Sequence, residues 1–464
     1  MRSVKIQRLA ARMTSRDASF LYLERPHALL HIGCVAVVEG HLTPERVARR
    51  VEARLPRMQR YAQRAVPAPF GLGHPAWEDD PDLDVRAHIA RWTLPSPGGD
   101  HELRELTAAL LAQPLARDRP LWEMHVIDGL DGGRSALFQK VHHCMVDGMA
   151  GAQALDDLLD TESRQRKVAL PRRAAEPTPD ATTRIGRALV DTARKQAGIA
   201  SSWLGALRGP SEARDAVRRL RDAAFSAVQL AARDIPSMPW NAPIGSRRRL
   251  AFARLPMSGV RRIRATRGGT VNDVVLCALA GGLHRYLRQS GFATHGLELT
   301  ALVPVSLRDA SEAHAMGNRI SAMLVPLAID PHGEVPRLAS TRALTDRLKT
   351  SSAWTGIDSL LGALDGMPPA LVAAVGQSLS LGTLANVICT NVPGPRETRW
   401  LCGKQVEALY PIVPIVDGIG LGLAVFSYDG FLHIGLNADA GLVPDLEKLE
   451  QGILEAFGEL LASA

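Results

Sequence analysis

A basic, proline-bearing stretch near the middle of the chain restricts it to a two-part architecture. Residues 164–222 hold 14 Lys/Arg against 6 Asp/Glu, together with Pro171, Pro177, Pro179 and Pro210. The whole 464-residue chain carries a net charge of +7, so the remainder is close to neutral. Dense like charge and proline oppose a packed core, so this stretch reads as a connector, irregular at first and then helical. It leaves an N-terminal domain at 1–163, a connector at 164–239 and a C-terminal domain at 240–464. Over 184–235, Ile185, Leu189, Trp203 and Leu207 recur among basic residues. That is the pattern of a basic amphipathic helix pair able to lie on an anionic membrane surface. The plainer alternative is a solvated linker helix packed on its own domain.

Composition removes several function classes. An apolar fraction of 46% supplies ample core and excludes bulk disorder. Aromatic residues make up 5%, too few for the stacking platforms of a single-strand nucleic-acid binder, so no nucleic-acid partner is expected. The five cysteines, Cys34, Cys144, Cys277, Cys389 and Cys402, show no CxxC spacing. A disulfide framework and a zinc ribbon are therefore not expected, and a reducing, cytoplasmic compartment is. Residues 1–20 lack an apolar signal core, and no run of about 20 apolar residues predicts a membrane span. Peripheral membrane contact stays open.

Each flank of the connector mixes strands and helices. Residues 32–38 form a β-branched run ended by Gly40, which predicts a strand. Thr43 then caps a helix through Leu55, with Pro44 at its first position. Residues 122–128 and 135–142, joined by turn residues at 129–134, predict a hairpin. A helix follows, with Met149, Ala152, Leu155 and Leu158 on one face. In the C-terminal part, a helix at 270–289, strands at 300–304 and 320–328, a hairpin at 421–437 and a closing helix at 444–462 are expected. The fold class is α+β: two similar domains of mixed sheets, with a site between them.

The segment Val141-His142-His143-Cys144-Met145-Val146-Asp147-Gly148 sits where the hairpin's second strand gives way to a helix. Functional side chains concentrate at such ends, on rigid support. Neighbours in a strand face opposite ways, so one histidine enters a given cleft and the other supports it. Asp147 could orient the ring directly or organise the turn through an arginine, for which Arg308 is a candidate. Gly148 permits a backbone shape closed to other residues. An imidazole with an ordinary pKa of ~6.5 suits proton removal from an alcohol or amine. A positioned base contributes on the order of 10²–10⁴ in rate. Two other readings stand beside this one. A metal site would draw on His142, His143 and Asp147, but H-E-x-x-H spacing is absent; and the histidines could be purely structural. No G-x-S-x-G elbow, phosphate-binding P-loop or G-x-G-x-x-G turn occurs.

HHxxxDG at 142–148 is shared by CoA-dependent acyltransferases and peptide-synthetase condensation domains. Other strings narrow the likeness. They are Met13-Thr14-Ser15-Arg16-Asp17-Ala18-Ser19-Phe20, Phe70-Gly71-Leu72-Gly73-His74-Pro75, Pro120-Leu121-Trp122-Glu123 and Asn272-Asp273-Val274-Val275-Leu276. Val303-Pro304-Val305-Ser306, Gly317-Asn318 with Ser321, and Asn391-Val392-Pro393-Gly394-Pro395 complete the set. Together, from about residue 10 to 440, they resemble the bacterial wax ester synthase/diacylglycerol acyltransferase family.

The resemblance implies two chloramphenicol-acetyltransferase-like domains with a tunnel at their interface. It implies an O-acyltransferase that moves a long-chain acyl group from acyl-CoA to a fatty alcohol or diacylglycerol, with no acyl-enzyme and no cofactor beyond the acyl-CoA co-substrate. His143 would be the general base, supported by His142, Asp147 and Gly148. Asn272 would donate to the oxyanion. Asp273 and the PLW residues Pro120, Leu121 and Trp122 would bind substrate or support the fold. The enzyme would be cytoplasmic, peripherally attached to the inner membrane or to lipid droplets. Plainer roles stand beside these: Asn272 or Asp273 as a helix cap worth about 1 kcal/mol, Trp122 as core, and 391–395 as a tight turn. Two rivals are a condensation-type enzyme using a carrier-bound donor and an amine, and a non-catalytic lipid-surface protein.

Overall fold

Three of the helices begin where a threonine hydroxyl satisfies one of their first amides. The computed structural model describes residues 12–71, 73–146, 148–163, 179–186, 190, 235–306, 320–330, 333–350, 369–378 and 384–464. Helix α1 (Ser15–Leu23) is capped by Thr14, whose hydroxyl accepts the Asp17 N–H at 3.0 Å. Strand β1 (His31–Val38) leads into α2 (Pro44–Arg54), capped by Thr43 with Pro44 at its first position, as the sequence predicts. Strands β2 (Gln63–Val66) and β3 (Ala76–Asp79) form a small ribbon. Then come β4 (Ile89–Thr93), α3 (Asp100–Leu111), the hairpin β5 (Trp122–Leu130) and β6 (Arg134–His142), and α4 (Gly148–Leu158). The hairpin differs from expectation in one respect. Its turn is shorter, because a register shift after Ile127 lets Gly129 and Leu130 stay in β5.

The C-terminal part runs β7 (Arg248–Pro256), α5 (Met257–Arg267), α6 (Val271–Gln289), β8 (Glu298–Ser306), β9 (Ile320–Ala328), α7 (Glu334–Thr350) and α8 (Pro369–Ser378). It continues with β10 (Val387–Val392), β11 (Trp400–Leu401), β12 (Lys404–Ile412), β13 (Leu421–Tyr428), β14 (Phe431–Asp439) and α9 (Leu446–Ala462). Asp429 and Gly430, at φ +42° and +79°, make the two-residue turn that suits a twisted hairpin.

Two six-stranded sheets result, ordered β11-β12-β1-β6-β5-β4 and β7-β14-β13-β10-β8-β9. Each is mixed: β4 runs parallel to β5, and β10 runs parallel to both β8 and β13. This is the α+β class expected, with helices packed against mixed sheets.

One connection departs from a simple pair of halves. Strands β11 and β12 lie in the C-terminal part of the chain but belong to the first sheet, where β12 pairs antiparallel with β1 (Gly33↔Ile412). The apolar side chains explain the crossing: Val406 and Leu409 bury in the N-terminal core. Asp160 and Trp400 exchange both backbone hydrogen bonds, at 2.8 and 2.9 Å, and Arg399 Nε donates to Asp156 at 2.9 Å. Where β12 crosses the second sheet, the backbones touch. A Cβ on Gly435 would stand 1.8 Å from the Pro411 carbonyl oxygen.

Of the connector, 181–186 are helical, and Arg184 grips the buried Glu78 of β3 with two hydrogen bonds at 3.0 and 2.6 Å. Most of the expected amphipathic helix pair lies outside the described residues, as do Asp147, Arg308, Gly317 and Asn318. Among the described residues, no helix is long and apolar enough to cross a membrane.

Candidate active site

The second sheet splits to make room. Parallel strands β8 and β10 pair only at Ala301 and Leu302, although both continue for several residues. Pro304 has no N–H with which to extend that ladder. Beyond the split, Pro304 and Val305 on one strand and Thr390, Asn391 and Val392 on the other line a cavity of about 190 Å³. The first sheet closes it with Gly33, Cys34, Gln139 and Ile412, and α4 adds Gly148, Gly151 and Ala152. The wall is predominantly apolar and draws on both parts of the chain. Small residues keep α4 close: a Cβ on Gly151 would lie 3.2 Å from Ile32.

His143 stands on this wall, one residue past β6. Its N–H donates to the Leu30 carbonyl at 2.9 Å. Its ring stacks on Phe20 of α1, with centroids 4.1 Å apart and planes within 4°. His142 faces the other way and is fully buried. Its Nδ1 accepts the Cys144 N–H at 3.1 Å, which puts the proton of the neutral ring on Nε2, 2.8 Å from Glu24 Oε2. Burial holds the His142 pKa below the usual imidazole value, with Glu24 partly offsetting it. Burial also works to raise Glu24, but the His142 hydrogen bond and the His142 and Arg117 charges outweigh it and hold that carboxyl at about 2. The two adjacent rings thus face opposite ways, although His143 lies just past the end of β6.

The remaining candidates separate. Trp122 is buried, donates its indole N–H to the Tyr61 carbonyl at 2.9 Å and stacks on His88. Leu121 is buried beside it, and its carbonyl accepts the His142 N–H at 2.9 Å. Pro120, also buried, completes a segment that supports the end of β6 from behind. Thr270, rather than Asn272 or Asp273, is the N-cap of α6, and Asp273 completes the capping box: its carboxylate accepts from Thr270 N–H at 2.7 Å and from the Thr345 hydroxyl at 2.8 Å. Asn272 is half-buried at the same helix start, and among the described residues it is not part of the cavity wall. Gly148 is on the wall; Asp147 lies outside the described residues.

Phe20 and Glu24 were not singled out by sequence reasoning. A signal existed, since Thr14-Ser15-Arg16-Asp17 is a helix-capping pattern and Phe20 and Glu24 sit one turn apart beyond it. Cys34 is on the wall too, but burial pushes its thiol up to about 12, which leaves it a poor nucleophile. Among the described residues, no group of three or more His, Cys, Asp or Glu side chains is placed to hold a metal ion.

Comparison with known proteins places the chain in a family and a fold. Residues 13–275 match the model of the wax ester synthase/diacylglycerol acyltransferase catalytic domain, and 316–461 match that of the family's C-terminal domain. A protein of Mycobacterium tuberculosis, described as a probable diacylglycerol O-acyltransferase, is 33% identical over 97% of this chain and 96% of its own length. Among solved structures, the wax ester synthase/diacylglycerol acyltransferase of Marinobacter aquaeolei aligns with a TM-score of 0.68 at 22% identity, covering 98% of this chain and 99% of that one. The first condensation domain of the calcium-dependent antibiotic synthetase shares the fold at a TM-score of 0.60 and 17% identity, over 98% and 97% of the two chains. The chain is an acyltransferase of the wax ester synthase/diacylglycerol acyltransferase family.

Proposed function

We propose that the chain transfers a long-chain acyl group from acyl-CoA to the hydroxyl of a fatty alcohol or a diacylglycerol, with His143 as general base. The observation that carries this reading is an imidazole on the wall of an apolar cavity lined by both parts of the chain. A ring nitrogen of His143 takes the hydroxyl proton as the alcohol oxygen bonds to the thioester carbonyl carbon. The carbonyl oxygen becomes an oxyanion. Its collapse re-forms C=O and breaks the C–S bond, and the CoA thiolate takes the proton back from the imidazolium. Products are ester and free CoA thiol, with no covalent enzyme intermediate.

The oxyanion needs preorganised donors, each worth roughly 2.7–4 kcal/mol. Gly148 opens α4 on the cavity wall, and the first amides of a helix lack intrahelical acceptors, which favours them for this task. Asp273 is assigned the upkeep of the α6 start. Such acceptors are nearly insoluble in water, so contact with an inner-membrane or lipid-droplet surface is part of the proposal, with the basic 164–222 stretch as the attracting element.

Thiol release from a long-chain acyl-CoA, measured with fatty alcohol, diacylglycerol and amine acceptors in parallel, is the test. Release dependent on a hydroxyl acceptor and abolished in His143→Ala is expected. Full release by His143→Ala, or a preference for the amine, overturns the assignment. Deletion of 164–222 that left vesicle binding unchanged would remove that stretch from the membrane role.

A further inference from the structure

The Nε2 and Nδ1 atoms of His142 have fixed partners, and its orientation is set. His143 meets an aromatic neighbour with its ring. Its backbone is fixed by Leu30, but the last torsion of a histidine side chain is broad and roughly two-fold, so nothing intrinsic to the residue sets its ring plane. The parallel ring of Phe20, 4.1 Å away, constrains it.

Phe20 is itself firmly mounted. Thr14 caps its helix, and Met13 N–H donates to the Pro75 carbonyl at 2.9 Å. Tyr22 Oη meets His74 Nδ1 at 3.0 Å. At the far end, Glu24 accepts from Leu30 N–H at 3.1 Å as well as from His142. One helix therefore reaches both histidines, Phe20 to His143 and Glu24, four residues on, to His142. Phe20 is half-buried and not part of the cavity wall, so it touches the base without shaping the space beside it.

We propose that Phe20 is a positioning residue for His143, holding the imidazole in one plane toward the cavity and stabilising the imidazolium formed when the base takes its proton. This rests on the assignment of His143 as the base. A phenyl face beside a ring that gains positive charge attracts it through its quadrupole, so the contact strengthens as the reaction proceeds. Fixing the plane removes orientations in which neither nitrogen meets the hydroxyl.

The experiment uses full-length chains labelled with ¹³C-histidine: unsubstituted, Phe20→Leu, Phe20→Met and Phe20→Tyr. The His143 ring signal is identified by its loss in His143→Gln. A ring-current displacement of that signal is expected in the unsubstituted and tyrosine chains and absent with leucine or methionine. With long-chain acyl-CoA and fatty alcohol, Phe20→Leu should lower kcat about 10- to 100-fold with KM within about twofold, and Phe20→Tyr should recover most of it. The methionine chain carries both readouts should the leucine chain not fold. An unmoved His143 signal, or an undiminished kcat without the ring, overturns the role of Phe20. No ester from the unsubstituted chain, with any donor, overturns instead the acyl-transfer reading on which that role rests.

Discussion

Glu24 accepts the Nε2–H of His142 at 2.8 Å across 118 residues of sequence, and the same carboxylate pairs with Arg117. Glu24→Ala leaves the buried His142 Nε2–H and the Leu30 N–H without their acceptor. A loss of about 2–4 kcal/mol is expected, by urea unfolding, from a charge-assisted buried network opened on one side. Glu24→Gln retains an acceptor oxygen and should lose less than the alanine chain. Equal losses would show that the oxygen, rather than bulk alone, contributes nothing.

Acid should weaken the fold in two stages. Burial, reinforced by the charges on His142 and Lys140, lowers His31 to about 3, and burial with Arg254 lowers His433 to about 3. For a histidine depressed in the folded state, the unfolded chain binds the proton first. Its stability contribution is complete above ~6.5 and is lost as pH falls toward about 3. Glu24 and Glu123, each held at about 2, keep their contribution above ~4.5 and lose it as pH falls through about 2. Tm should decline from pH ~6.5 downward and then more steeply below ~4.5. Replacing His433 with Gln should flatten the upper stage; an unchanged slope would remove that residue from it.

Trp122 should matter for stability rather than for turnover. Trp122→Phe keeps an aromatic ring against His88 but orphans the Tyr61 carbonyl, for an expected cost of about 1–2 kcal/mol. Activity per folded molecule, measured with protein corrected for its folded fraction, should stay near the unsubstituted level. A large fall in kcat at full folding would return the tryptophan to the reacting centre.

Ala152→Leu adds bulk to a cavity of about 190 Å³ from the α4 side. Long acyl chains should lose about tenfold in kcat/KM relative to short ones, the equivalent of about 1.4 kcal/mol of crowding. A profile over acyl-CoA length checks this. An unaltered profile would place the acyl chain elsewhere.

What could be read from sequence tracks how local its cause is. Thr43-Pro44, the hairpin at 122–142 and the capped helix after Thr270 are set by neighbours within a few residues, and each stands close to where it was expected. The opposite facing of His142 and His143 was equally legible, because neighbours at the end of a strand diverge. The β1–β12 pairing was not, since nothing near Cys34 announces a partner at Pro411, more than 370 positions away. Separation along the chain likewise hid the stack of Phe20 on His143, although the cap that places its helix was in plain view. Asp273 illustrates the opposite trap. A motif residue can serve a helix start, its carboxylate bonded to Thr270 and Thr345.

The β11–β12 excursion has a mechanical corollary. Because this arm is woven into its neighbour's sheet and clasped at Asp160 and Arg399, a protease nick between 187 and 234 should not release two pieces. The severed fragments should travel as a single particle in gel filtration and keep turning over substrate. Cohesion of the finished enzyme then resides in the interlaced strands.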